Sequence, residues 1–193
     1  AKSARDHFVA LLNQQTYTQT YSQRRQAVNN MQVQKNITFV VRPAKTIAGT
    51  IKVAGDKSIS HRSVMLSSLA EGISRISGFL EGEDSLATLQ AFRDMGVLIE
   101  GPDNGELIVH GVGLNGLKEP PGPLYVGNSG TSMRLLMGLL AGQTFNTELR
   151  GDASLTKRPM ERVAKPLRAM GAHIETDDGR APIKIFGNGK LKG

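Results

Sequence analysis

The chain repeats itself. Gly55-Asp56-Lys57-Ser58-Ile59-Ser60-His61-Arg62 returns as Gly127-Asn128-Ser129-Gly130-Thr131-Ser132-Met133-Arg134, the leading Gly moving from position 55 to position 127, an offset of 72 residues. The two copies also end alike: Phe92-Arg93-Asp94-Met95-Gly96-Val97-Leu98-Ile99-Glu100 matches Leu167-Arg168-Ala169-Met170-Gly171-Ala172-His173-Ile174-Glu175. A period this long is too great for a helical solenoid, so it reads as duplication of a supersecondary unit inside one domain.

Each copy reads as βαβαββ. In the first, an alternating strand over Ile47–Val53 leads to the Gly55 start and a helix through Ala70. A breaker at Gly72, a strand over Ile73–Leu80, an amphipathic helix over Ser85–Met95 and strands over Val97–Glu100 and Glu106–His110 follow. In the second, the start at Gly127 opens an apolar helix over Leu135–Ala141. A strand over Thr147–Arg150, an amphipathic helix to Met170 and strands over Ala172–Thr176 and Pro182–Phe186 complete it. Pro166 should kink or split that amphipathic helix, since it removes an amide donor and clashes with the preceding turn. The first helix of each copy is apolar nearly all round and is expected inside, with its N-terminus opening at one end of the domain. The second carries a polar face (Glu83, Asp84, Arg93 and Asp94, or Glu161, Arg162, Lys165 and Arg168) and is expected outside.

Ahead of the repeats, Phe8, Leu11 and Leu12 share a helical face, and a Gln-, Thr- and Asn-rich stretch runs to Asn36. Residues 1–36 therefore read as a helix and polar linker, and Ile37–Val41 as a strand. The chain opens on Ala, which reads as processed or cut from something longer. Lys2, Arg5, Arg24, Arg25 and Lys35 against Asp6 give this segment four of the seven net positive charges. Nucleic-acid binders carry basic stripes interleaved with aromatics. Here the later cations are dispersed, and of the nine aromatics only Phe8, Tyr17 and Tyr21 share the basic leading segment, so nucleic acid is not the expected partner. No apolar run is long enough to span a bilayer, and no charged-then-apolar leader is present. The chain has no Cys, hence no disulfide, thiolate metal site or Cys nucleophile. His7, His61, His110 and His173 lack ligand spacing, and no metal is expected. The composition suits the cytoplasm.

The chemistry lies at the helix starts. Gly and small polar residues followed by an apolar segment leave N-terminal amides facing outward, where an anion is stabilised. Lys57, Ser58 and Arg62 surround the first start. Asn128, Gly130, Thr131 and Arg134 surround the second, with Gly130 allowing close backbone approach. The bland readings are a capped helix with Asp56 or Ser58 as cap, and an ordinary Gly-rich turn. The GxxxxGK[ST] spacing of a P-loop is absent. A third cluster, Gly151-Asp152-Ala153-Ser154-Leu155-Thr156-Lys157-Arg158-Pro159-Met160, places Lys157 and Arg158 just before a helix whose first position is Pro159. Cations there oppose the helix dipole and need an anionic partner, or are a solvated pair.

These three ordered motifs closely resemble the 5-enolpyruvylshikimate-3-phosphate synthase family, the resemblance running from about residue 37 to the end. Ala4-Arg5-Asp6-His7-Phe8 and the Gln-rich stretch look more weakly like the tail of a prephenate dehydrogenase region fused upstream. The resemblance implies an α/β fold of repeated βαβαββ units with buried helices, part of an inside-out α/β barrel, the enolpyruvyl transferase fold. It implies units at 47–113 and 124–189 inside an incomplete domain over 37–193.

It also implies transfer of the enolpyruvyl group of phosphoenolpyruvate to the 5-hydroxyl of shikimate 3-phosphate with release of phosphate, in the shikimate pathway of aromatic amino acid biosynthesis, with no cofactor. By the same resemblance Lys57 is catalytic and contacts both substrates, Ser58 and Arg62 hold shikimate 3-phosphate, and Asn128, Gly130 and Arg158 line the phosphoenolpyruvate site. Thr131 and Arg134 support them. Glyphosate occupies the phosphoenolpyruvate site in this family, and Gly130 predicts sensitivity to it. A third unit and a C-terminal domain with acid–base carboxylates are missing, so no turnover is expected from this chain alone, and a face left bare by the missing unit is expected to favour self-association. The related UDP-N-acetylglucosamine enolpyruvyl transferases usually carry Asn after the first Lys and a reactive Cys; Ser58 and the absence of Cys argue against them. A non-catalytic anion-binding scaffold is the alternative from another class.

Overall fold

Two strands joined by two residues with positive φ recur at equivalent places in both repeats, and they anchor the architecture. Asn104 and Gly105 (φ 50° and 78°) close one hairpin, Asp178 and Gly179 (48° and 74°) the other. Positive φ at both central residues makes a type I′ turn, whose twist matches that of paired strands. The structure, a computed structural model, describes residues 40, 46, 48–187 and 189–193. Two units divide the chain at residues 50 and 51, and every element below lies in the second, Ile51–Gly193. The helix expected over 4–15, the polar linker and all but Val40 of the strand expected over 37–41 lie outside the described residues.

In the first repeat α1 (Lys57–Leu69) is followed by β1 (Glu71–Ile76), α2 (Glu83–Asp94), β2 (Leu98–Asp103) and β3 (Glu106–Val112). The second repeat opens with β4 (Leu124–Tyr125) and α3 (Gly130–Ala141). β5 (Thr147–Arg150), a single 3₁₀ turn (Leu155–Lys157), α4 (Glu161–Ala169), β6 (His173–Asp177) and β7 (Arg180–Phe186) follow. The first sheet has the order β1-β3-β2 and is antiparallel; the second has the order β4-β5-β7-β6, with β4 parallel to β5 and the rest antiparallel. α1 packs on α2 and β3, α3 on α4 and β7, and α2 also meets β4. One apolar core therefore runs through both repeats, including Leu89, Phe92, Val109, Met133, Leu136, Leu149 and Ile183. Burying each such side chain is worth about 1.5–3 kcal/mol.

The βαβαββ order holds in the second repeat and loses its first strand in the first. Residues 48–53 form no strand, and Ile51 and Val53 are 85% and 75% exposed. β-Branched residues favour a strand only where a partner completes the ladder, and among the described residues β1 pairs with β3 alone. Gly72 is not a breaker: it lies inside β1 opposite Gly111, and the helix ends at Ala70, whose amide returns to the Leu66 carbonyl. β1 stops at Ile76 rather than Leu80 because the next amides are taken elsewhere, Phe79 by the Gly105 carbonyl (2.9 Å) and Leu80 by Ser60 Oγ (2.9 Å).

Neither first helix is enclosed on all sides. α1 buries Ser60, His61, Val64, Met65 and Ser68 but leaves Ile59 and Leu66 exposed, and α3 leaves Leu135 40% exposed. Each of these helices rests on its own sheet and one neighbouring helix, which covers one face. Pro166 stays inside a continuous α4; nine residues give few amide bonds for it to interrupt. α4 begins at Glu161, two residues after Pro159, with the 3₁₀ turn ahead of it, so Lys157 and Arg158 precede the helix instead of occupying its first turn.

The polar faces hold more than solvent. Arg93 Nη2 donates to the carbonyls of Ile99 (2.7 Å) and Gly101 (2.5 Å), and Arg168 Nε donates to Ile174 O (2.7 Å), so in each repeat an Arg ties the end of the outer helix to the next strand. Arg168 also meets Glu161, which accepts from Thr176 Oγ1 as well (3.0 Å), and these bonds hold the Glu161 carboxyl below its ordinary range.

Candidate functional site

α1 starts where it does because Asp56 is a good N-cap: its carboxylate accepts the Ile59 amide at 2.7 Å. One of the bland readings is thus true, yet it leaves the start available. The amides of Lys57 and Ser58 have no acceptor among the described residues, as the geometry of a first turn dictates. Lys57, Ser58 and Arg62 are all exposed around them. Arg62 is turned back along the helix, Nη1 donating to Ser58 O at 3.1 Å. Lys57 pairs with Asp84 at the start of α2, the carboxylate being the more buried partner. Asp84 was legible in the sequence only as part of a polar face; its role here follows from α1 lying against α2.

The second start is capped by Ser129, whose Oγ accepts the Ser132 amide at 3.1 Å. Gly130 is buried, and Asn128, Thr131 and Arg134 are half-buried. Arg134 repeats the posture of Arg62, Nη1 donating to the carbonyl four residues back, Gly130 O, at 3.4 Å, while Nη2 reaches Pro159 O at 3.5 Å.

The third motif folds onto the second. Asn128 Nδ2 donates to Asp152 Oδ2 at 2.7 Å, Arg158 Nη2 donates to Asn128 Oδ1, and the Asp152 amide donates to Gly127 O at 2.9 Å. Asp152 Oδ1 also accepts the amides of Leu155 (2.7 Å) and Ser154 (2.9 Å). The Leu155 amide above all, then Asn128, Ser154 and the Arg158 charge, hold this carboxyl below the ordinary range although desolvation opposes them. A methyl group on Gly130 would stand 2.9 Å from Arg134 Nη1 and 3.2 Å from Arg158 Nη1, so both guanidinium groups reach this one glycine.

Burial first, then the charges of Arg162 and Arg158, push the Arg134 guanidinium below its usual value. Arginine remains a cation regardless. Two guanidinium groups, Arg134 and Arg158, that repel one another beside a helix N-terminus favour an anion there. Arg162, which the sequence placed merely on a polar face, acts on Arg134 through its charge, and Lys157 is exposed, its amide donating to Ser154 O at 3.3 Å and its ammonium making no hydrogen bond among the described residues.

The two starts meet through buried hydroxyls and an imidazole. His61 on α1 is 1% exposed. Its Nδ1 lies 2.8 Å from Thr88 Oγ1 and 3.2 Å from Ser132 Oγ, and its Nε2 lies 3.4 Å from Ser129 Oγ. Among the described residues no group of three or more His, Cys, Asp or Glu could hold a metal, and no helix is long and apolar enough to cross a membrane.

A duplicated α/β unit whose inner helices open beside cations and unbonded amides defines a repeated α/β class, and similarity to known proteins specifies which. The family model described as EPSP synthase (3-phosphoshikimate 1-carboxyvinyltransferase) matches residues 41–193, and the chain belongs to that family. It is 63% identical over 160 residues to the 3-phosphoshikimate 1-carboxyvinyltransferase of Methylococcus capsulatus, covering 82% of this chain and 37% of that protein. It is 62% identical over 159 residues to that of Hydrogenovibrio crunogenus, covering 82% of this chain and 36% of the relative. The solved EPSP synthase of Acinetobacter baumannii superposes with a TM-score of 0.73 at 62% identity, over 75% of this chain and 33% of that one. The fold is therefore that of the enolpyruvyl transferases, and the chain spans little more than a third of the length of these relatives.

Proposed function

We propose that this chain supplies the substrate-gripping part of an enolpyruvyl transfer from phosphoenolpyruvate to the 5-hydroxyl of shikimate 3-phosphate, with phosphate leaving. The observation that carries the reading is the convergence of Arg134 and Arg158 on the Gly130 helix start, with Lys57 held at the neighbouring start. Both substrates are polyanions, and each start offers amides and cations to one of them.

In this reading Ser58 and Arg62 bind shikimate 3-phosphate. Asn128, Gly130 and Arg158 bind phosphoenolpyruvate, with Thr131 and Arg134 in support. Lys57 lies between the two ligands, its ammonium already charged and oriented by Asp84. An incoming anion competes with Asp84 for that ammonium, so Lys57 is the group whose partner changes on binding. Arg62 and Arg134 have spare guanidinium donors beyond their backbone bonds, which suits bidentate contact with phosphate or carboxylate. Glyphosate would compete at the Gly130 end. We place the reaction in the cytoplasm, and assign residues 37–193 to the transferase domain and 1–36 to the tail of an upstream dehydrogenase region.

A titration of the chain with shikimate 3-phosphate, following the amides of Lys57–Arg62 and Asn128–Arg134 by NMR, tests the reading. Saturable shifts confined to those starts, competed by no other polyanion of equal charge, are expected. Equal response to any polyanion would favour the scaffold alternative, and no response would remove shikimate 3-phosphate as a ligand of this chain.

A further inference from the structure

We propose that His61 is a positioning residue, a buried neutral imidazole that fixes the second helix start against the first. It rests on the reading that the two starts share one ligand site. His61 sits one turn into α1, between Ser60, which receives the Leu80 amide, and the exposed Arg62. Its ring crosses to the other repeat and touches Ser129, the N-cap of α3, and Ser132, whose amide that cap receives. Thr88 on α2 closes the group: its Oγ1 lies 2.5 Å from Ser132 Oγ and 2.8 Å from His61 Nδ1, and it donates to Asp84 O at 3.2 Å. Ser129 and Ser132 hydroxyls are 2.7 Å apart. α2 thus stands between the two starts, holding Lys57 through Asp84 and α3 through Thr88.

A neutral imidazole has one donor and one acceptor, and the surrounding hydroxyls rotate to complement either tautomer. Every polar atom of the group then has a partner, which is the condition under which a buried polar network specifies one arrangement. Protonation would add a third positive charge to those of Lys57 and Arg62, with Asp84 opposing them; burial first, then the two cations, pushes the ring below its ordinary value. The core shared by the two repeats is apolar, and apolar contacts tolerate sliding that directional hydrogen bonds do not. Cations and amides that act together on one ligand lose effectiveness steeply when displaced by about 1 Å. His61 touches no ligand; it sets the spacing of groups that do.

The test uses the whole chain with His61→Leu and His61→Asn, read by NMR without ligand and by shikimate 3-phosphate affinity. His61→Leu is expected to move the amide resonances of Ser129–Arg134, far away in sequence, and to weaken binding about tenfold or more, while His61→Asn, which keeps a donor and an acceptor, recovers most of that at a similar thermal midpoint. The ¹⁵N spectrum of the His61 ring should still show one protonated and one bare nitrogen at about pH 6.5, where an unperturbed imidazole is half protonated. Unmoved Ser129–Arg134 amides, or equal loss of affinity in both variants, would overturn the proposal. If the parent chain binds no shikimate 3-phosphate, the ligand reading fails and the ligand-free amide shifts decide this one. If His61→Leu does not fold, Ser129→Ala breaks the same link from α3 and must displace the His61 Nε2 resonance; an unchanged resonance overturns the proposal.

Discussion

The two repeats keep the same backbone and handle charge differently. Both have the type I′ hairpin, the Gly after the outer helix, and an Arg returning to strand carbonyls. At the first start the cation Lys57 is neutralised by a carboxylate from the next helix. At the second, Asn128 stands between Asp152 and Arg158, and Arg134 crowds Arg158 and Arg162. Duplication preserved what the backbone requires, and the side chains at the helix starts diverged into one balanced site and one short of negative charge. The repeats also differ in packing: β4 pairs with β5, whereas the corresponding Lys52-Val53 pairs with no strand among the described residues.

The packing difference gives the largest expected effect. Leu136, fully buried on α3, should cost about 3 kcal/mol when changed to Ala. Leu66→Ala on α1, at a position 67% exposed, should stay within about 0.5 kcal/mol. Chemical denaturation of both variants checks this, and a large loss at Leu66 would show that the bare face of α1 is covered in solution.

The glycines at the two starts come next. A Cβ on Gly55 would press directly on the Gly78 carbonyl oxygen, rigid backbone, so Gly55→Ala should destabilise by about 1–3 kcal/mol. Gly130→Ala meets only the mobile ends of Arg134 and Arg158, so it should leave the melting temperature nearly unchanged while displacing both guanidinium groups, visible as shifted Arg side-chain resonances. Similar melting losses in both would contradict the comparison.

Charge is the finer test. Lys57→Met should reduce shikimate 3-phosphate affinity about tenfold or more, the scale of a charge-assisted hydrogen bond, and Lys157→Met should change it by less than about twofold. Isothermal titration separates them. Equal losses would mean that overall charge, not the start, attracts the ligand.

The smallest effect is in pH. His61 is held below its ordinary value by burial, Lys57 and Arg62 against Asp84, so the unfolded chain takes up the proton first as pH falls. Its contribution is fully present above the ordinary imidazole range and declines as pH falls through and below about 6.5. Asp152, also held low, contributes above the ordinary carboxylate range and loses it in more acidic solution. Melting temperatures across pH should therefore show an upper step absent in His61→Asn and a lower step reduced in Asp152→Asn, the remainder belonging to Glu161.

Much of this was legible because it is local. The helix over Ser85–Met95 is observed at Glu83–Asp94, the strand over Thr147–Arg150 is observed there, and the hairpins carry Asn104-Gly105 and Asp178-Gly179, a turn signal readable without the fold. Ile47–Val53 misled because a strand needs a partner that periodicity cannot supply. Gly72 misled because a Gly can sit in a strand opposite another Gly. At the site, the three motifs were visible, but Asp84, Thr88, Arg162 and the role of His61 were not: each acts across a contact between helices far apart in sequence, and none has a spacing to mark it.

The sequence alone determined the duplication, the element types and the family, because these are written in local period, turn chemistry and ordered motifs. The tertiary structure decided which cation is balanced, which first strand is paired, and that a histidine marked in the sequence only by its lack of ligand spacing joins the two starts. Those outcomes depend on burial and on the distance between groups brought together by packing, quantities that a linear order of residues does not contain.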